Sequence, residues 1–377
     1  MMSVSSRHEN ATWLSGGLRR IRPAEIRIHK MQREYYLNLA AEGLRMPIGA
    51  DLILHEKSDP QACRLNGEWL GEILVETARK FRTPLAFPLM DLRIEKEWLL
   101  REFGIAQERI DTYHFQDGLT QADVEKVRNM LNSEPTSAMK ASLTAISHVA
   151  HTDNLVPVGM CIGPFSLMTK LIDDPITAVF LASLDATEKE AVSVFSALEL
   201  GTLLICKWIE LQIAAGAKAI CVCEPAYNTV YISPNQFKAN PQLLDDLVIR
   251  YNNRMRDVMR KHDVDLIFHD CGALTEEIIA SCNKLDPAIL SLGSPSDMTL
   301  AAKFTQPQTV LFGNLPSKKF YSDNEMTQEQ VRQQSRLLIK QMATAGHPFI
   351  LATECDVLSV PGCEQTIMKK VMAMLDA

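Results

Sequence analysis

Along this chain, short unbroken apolar runs rich in β-branched residues alternate with longer stretches whose apolar positions recur with a helical period. The runs fall at 46–55, 84–91, 156–163, 217–224, 264–272, 288–293, 309–314 and 348–356. Runs without polar alternation belong to strands buried on both faces, and their interleaving with helices marks a parallel sheet. Among the intervening stretches, 241–261, 274–285 and 326–345 are amphipathic. Eight such units predict an α/β fold, a closed (β/α)8 TIM barrel rather than an open doubly wound sheet. The charged stretch 1–44 reads as an N-terminal helical extension, and the long connection 94–155 must hold several helices. With no internal repeat, low-complexity tract or linker, residues 1–377 are expected to form one domain.

In such barrels the chemistry collects at the carboxyl ends of the strands. Read there, the runs end in Met90-Asp91, Gly163-Pro164-Phe165, Glu224-Pro225, His269-Asp270-Cys271, Gly313-Asn314 and Glu354-Cys355-Asp356. His269 and Cys271 are two positions apart, so an extended chain points both to one face. Cys355, at the end of the eighth run, can reach the same mouth. One imidazole and two thiolates, with a position left for a reactant, is the ligand set of a catalytic zinc. Cys363, in Val360-Pro-Gly-Cys363, is the rival third ligand, while Cys221 and Cys223 precede their strand's end and read as core. Glu224 is a candidate fourth ligand, with a structural carboxylate as the competing role. Asp91, an acid closing an apolar run, is a candidate catalytic group with Arg93 as its nearest partner; a salt-bridged scaffold is the alternative. Tyr227 and Asn314 are candidate substrate contacts. His114, His148, His151 and His347 have no supporting neighbours and read as loop or helix-surface residues.

Composition narrows the function classes. Lys and Arg number 39 against 46 Asp and Glu, a net charge of −7, and no basic stripe suggests a nucleic-acid partner. No run of ~18 uncharged apolar residues suggests a membrane span. The nine Cys lie mostly within apolar runs and no apolar leader follows Met1, so we expect a reducing, cytoplasmic setting with unpaired thiols. A homodimer is compatible with this composition.

Taken with their flanks, these residues resemble the uroporphyrinogen decarboxylase superfamily, and within it the zinc-dependent branch of corrinoid methyltransferases. The matching segments are Pro88-Leu-Met-Asp-Leu-Arg-Ile-Glu95, Gly163-Pro-Phe-Ser-Leu167, Ala215-Gly-Ala-Lys-Ala-Ile220 leading to Glu224-Pro225, and Ile232-Ser-Pro234. Phe268-His-Asp-Cys-Gly272, Phe312-Gly-Asn314 and Thr353-Glu-Cys-Asp356 complete the set, in family order from about residue 46 onward. His269-Asp-Cys271 with the distant Cys355 is the most specific part. The resemblance implies transfer of a methyl group between a small molecule and the cobalt of a corrinoid carried by a partner protein. The runs 51–56 and 84–95 are similar to members that demethylate methoxylated aromatics. The decarboxylases grip porphyrin carboxylates with an arginine-rich segment near the first strand. Residues 45–56, Arg45-Met-Pro-Ile-Gly-Ala-Asp-Leu-Ile-Leu-His-Glu56, lack it. Methylation of a thiol or pterin, with coenzyme M, homocysteine or a folate as acceptor, and a metal-free lyase remain the alternatives.

Overall fold

The structure, a computed structural model, describes residues 33–377. Its strands are β1 (Arg45–Ile48), β2 (Leu85–Ala86), β3 (Val156–Ile162), β4 (Ala219–Cys223), β5 (Asp265–Asp270), β6 (Ile289–Leu292), β7 (Val310–Leu315) and β8 (Phe349–Asp356). Every ladder is parallel, and the order β1-β8-β7-β6-β5-β4-β3-β2 curls the sheet into a (β/α)8 barrel with its seam between β1 and β2. Of the expected N-terminal extension, the helix Arg33–Ala41 is seen; residues 1–32 lie outside the described residues.

Two corrections concern the seam. The first run, 46–55, is a strand only to Ile48; beyond Gly49 the residues Ala50–Leu54 form a short buried helix. A five-residue stretch that is apolar but for Asp51 fits either state, because it is too short for its period to choose. The second run keeps only Leu85–Ala86 in the ladder. The connection expected to hold several helices does so, with Ile94–Glu102, Gln121–Met130 and Ser137–Ala150.

Strand alternation sorts the core into two layers. Ala219, Cys221 and Cys223 of β4 pack inside the barrel with Val158, Met160, Ile267, Phe312 and Ile350. Ile220, Val222, Leu266 and Phe268 pack outward against the helices. By the same alternation His269, two residues past Ile267, points inward.

The helix Lys189–Ala214 is long and apolar enough, by length and composition alone, to cross a membrane. Within the fold 67% of that apolar window is buried, against helices Pro164–Leu171, Pro175–Leu184 and Arg250–Lys261. Its hydrophobicity is thereby accounted for by core packing.

Candidate metal centre

The barrel's carboxyl mouth brings together the three residues whose spacing suggests ligands. His269 lies beside Ser291 in the β5–β6 ladder. Its Nδ1 is 2.8 Å from Ser291 Oγ, and its buried Nε2 has no hydrogen-bond partner. A buried ring nitrogen without a partner calls for an explanation. Here one ligand atom each from His269, Cys271 and Cys355 lies within 4.8 Å of the other two. A tetrahedral ion with Zn–S of about 2.3 Å and Zn–N of about 2.0 Å separates its ligand atoms by roughly 3.4–3.8 Å. The cluster is therefore close to coordination size, and two sulfurs with an imidazole form a borderline-soft donor set that fits zinc.

Cys355 reaches the cluster through an irregularity in β8. Ile350 and Ala352 face the barrel interior. Strict alternation would then turn residue 355 outward. Between the pairs Met46–Ala352 and Ile48–Asp356, however, β8 advances four residues while β1 advances two. Such bulges re-aim a side chain. Thr353 and Glu354 fix the turn. Thr353 Oγ1 accepts from Ile48 N at 3.1 Å, and Glu354 accepts from Ser294 Oγ at 2.6 Å and Lys318 N at 3.4 Å. Gly293 lets the chain after β6 press against this site, since a Cβ there would meet Cys271 O at 2.4 Å.

The two thiols titrate as a pair. A hydrogen bond from Cys355, aided by His269, draws Cys271 down to about 4, and the thiolate so formed pushes Cys355 far up. Without a cation the pair shares one proton. A bound cation would hold both sulfurs as thiolates. The Cys355 thiol also lies 3.4 Å from Met90 Sδ.

Glu224 is elsewhere. Fully buried, it accepts from Phe165 N at 3.2 Å, Ser166 N at 2.8 Å and Asn252 Nδ2 at 2.8 Å. It thus caps the first turn of the helix Pro164–Leu171, and a Cβ at Gly163 would sit 2.0 Å from its Cδ. The carboxylate expected as a fourth ligand is engaged by that helix, outside the His269–Cys271–Cys355 group. The physical reason is the unpaired N–H groups of a buried helix start, which need an acceptor.

The other candidates divide similarly. Tyr227 is buried and bonds Ser281 Oγ at 2.5 Å, a core contact. Asn314 donates to Gly293 O at 2.9 Å and Ser296 O at 2.7 Å, tying the β7 end to the loop after β6. Asp91 lines the same cavity as Cys355. Its carboxylate meets Arg93 Nε at 3.2 Å and Arg64 Nη1 at 3.4 Å, so the partnership with Arg93 is present and a second arginine joins it. Cys363 starts the last helix and is outside the cluster, as are Cys221 and Cys223, whose sulfurs are 3.9 Å apart in the barrel core. Sequence reasoning passed over Ser291, although a lone hydroxyl in Ile289-Leu-Ser-Leu292 is a legible signal. It also missed Glu95, whose carboxyl burial pushes up to about 8.

A cavity of ≈ 430 Å³ opens at Cys355, walled by Met90, Asp91, Lys170, Lys318 and Tyr321 among others. Larger cavities of ≈ 470 Å³ near Tyr113 and ≈ 620 Å³ at the amino ends of β2 and β3 touch none of His269, Cys271 and Cys355.

The chain forms a (β/α)8 barrel whose carboxyl mouth brings together His269, Cys271 and Cys355, a donor set that could hold a soft metal ion. The sequence profile described as uroporphyrinogen decarboxylase (URO-D) matches residues 53–377, and the chain belongs to that family. Among solved structures, a methyltransferase from Methanosarcina mazei shares the fold with a TM-score of 0.63 at 14% identity, over 92% of this chain and 99% of that one. No curated protein matches the sequence.

Proposed function

We propose that this protein is a zinc-dependent methyltransferase. It moves a methyl group from a small methylated substrate, such as a methoxylated aromatic, to the cobalt of a corrinoid held by a separate protein. The observation that carries this reading is the convergence of His269, Cys271 and Cys355 from opposite parts of the sequence, with a buried imidazole nitrogen lacking any other partner. The family membership and the fold shared with a protein named a methyltransferase support it.

His269 through Nε2, and Cys271 and Cys355 through Sγ, would hold the ion. Zinc bound there would supply Lewis-acid stabilisation of the charge that develops on the substrate heteroatom. The chain's own residues orient and enclose. Ser291 engages Nδ1 and leaves Nε2 for the ion, as outer-shell partners of metal-binding histidines do. The cavity beside Cys355 has the size of a small-molecule site, and Met90, Leu358 and Val360 give it apolar walls. In the transfer, cobalt(I) supplies the electron pair for the new carbon–cobalt bond. The heteroatom keeps the pair of the broken bond and takes up a proton.

Porphyrin decarboxylation is disfavoured by the residues present. Arg45, the one arginine of 45–56, donates to Leu375 O at 3.0 Å on the opposite face of the barrel from the mouth. The test is incubation of zinc-loaded protein with cob(I)alamin and a methoxyaromatic, a methylamine or a methylthiol, followed by absorbance. Growth of a methyl-cobalt spectrum with one of these is the expected result. Silence with all three, together with methylation of a thiol by methylcobalamin, would reverse the direction; silence in both assays would remove the activity.

A further inference from the structure

We infer that the reactant received beside Cys355 is an anion: a methylated carboxylic acid whose carboxylate is bound by Lys170 and Lys318. This deepens the methyl-transfer reading and rests on it for the methyl group; recognition of the anion depends on the cavity alone. Three cations line that cavity, Arg93, Lys170 and Lys318, in a chain whose net charge is −7. The charges are thus a local feature.

Arg93 is already committed, to Asp91 at 3.2 Å and Asp111 at 3.5 Å. The two lysines are not. Lys170 is half-buried on the helix Pro164–Leu171, and its ammonium donates to Leu92 O at 2.9 Å, leaving two of its three N–H groups for another acceptor. Burial pulls its pKa down while Glu95 and Asp91 pull it up, so a bound anion would restore what desolvation removes. Lys318 uses its backbone N–H on Glu354. Its ammonium makes no hydrogen bond or ion pair among the described residues, and the residue lines the same cavity as Cys355.

The acids facing the cavity are Asp91, held by Arg64 and Arg93, and the buried Asp356. The three lining cations, Arg93, Lys170 and Lys318, against the carboxyls of Asp91 and Asp356 leave one net positive charge, which fits a carboxylate better than a phosphate dianion. Among the other lining residues, Met90, Tyr321, Leu358, Val360 and Ile367 offer an apolar surface suited to a ring or hydrocarbon body. Lys170 and Lys318 lie in the segments that follow β3 and β7, away from the 45–56 region where decarboxylases carry arginines.

The test uses two non-methylated probes, 4-hydroxybenzoate and its neutral isostere 4-hydroxybenzyl alcohol, titrated calorimetrically into zinc-loaded full-length protein. A charge-assisted pair predicts that wild type binds the acid about tenfold or more tighter. Lys170→Met is expected to abolish most of that preference and leave the alcohol's affinity unchanged. Lys170→Arg should retain it, and Lys318→Gln should reduce it in part, with circular dichroism confirming that each variant is folded. Equal affinity of wild type for both probes overturns the inference, as does a Lys170→Met variant that weakens both alike. The two readings separate in the cob(I)alamin assay. Acid-selective binding with no methyl-cobalt from any donor would keep the anion site and remove the transferase. Equal methyl-cobalt formation from 4-methoxybenzoate and 4-methoxybenzyl alcohol would keep the transferase and remove the anion site.

Discussion

Replacing Glu224 by alanine separates a structural carboxylate from a metal ligand. Three donors converge on it, Phe165 N, Ser166 N and Asn252 Nδ2, all in a buried environment. Each donor stranded without water costs about 1–3 kcal/mol, and the losses overlap because the three share one acceptor. Taken together, the three overlapping losses come to about 3–5 kcal/mol. With an unfolding entropy of about 2.1 cal/mol/K per residue, 377 residues give roughly 0.8 kcal/mol/K. The expected fall in Tm is therefore about 4–6 °C. Glu224→Gln keeps the shape but turns one acceptor into a donor, so a smaller fall is expected. Thermal melts by circular dichroism, paired with zinc analysis of the folded fraction, read both quantities. The account requires a lower Tm with zinc content per folded chain unchanged. An unaltered Tm with zinc lost would make Glu224 a ligand and refute the capping argument.

Three further outcomes follow from the same geometry. Ser291→Ala removes the partner of His269 Nδ1 and should weaken zinc binding about 10–100-fold; chelator competition giving an unchanged affinity would show that Ser291 does not orient the ring. Glu95 is protonated in the fold up to about 8, whereas its ordinary value is 4.5, so the folded chain holds a proton that the unfolded chain releases. Its contribution is complete below the unfolded value and is lost as pH rises through that window, at up to about 1.4 kcal/mol per pH unit. Glu95→Gln should then be more stable than wild type at pH 8 and flatten the pH dependence of urea midpoints between about 5 and 8; parallel curves would contradict this. In zinc-free protein, iodoacetamide should alkylate one of the pair Cys271 and Cys355 with little change in rate between about pH 6 and 8, because one thiolate is already present. A rate rising tenfold per pH unit would place that thiol's pKa in the ordinary range.

How much of this was legible in the sequence depends on whether a local pattern or a distant contact decides each feature. Strands β3 to β8 show as apolar runs because both faces are covered, and their predicted ends agree within two residues. The run 46–55 misled because Ala50–Leu54, apolar except for Asp51 and buried throughout, suits a buried helix as well as a strand. His269 and Cys271 could be paired from their spacing. Cys355 could be proposed only from its place at a strand end, since the irregularity that turns it inward depends on pairing with β1. Glu224 read as a ligand because it ends β4 beside β5. The unpaired N–H groups that claim it belong to a helix sixty residues earlier in the chain, and no spacing rule reaches that far.

The central claim concerns the three donors and one ion, and zinc K-edge absorption tests it most directly. The account predicts one zinc per chain with two sulfur neighbours at about 2.3 Å and a nitrogen at about 2.0 Å, one sulfur disappearing in Cys355→Ala. A spectrum showing only oxygen and nitrogen neighbours, or one that Cys355→Ala leaves unchanged, would contradict it.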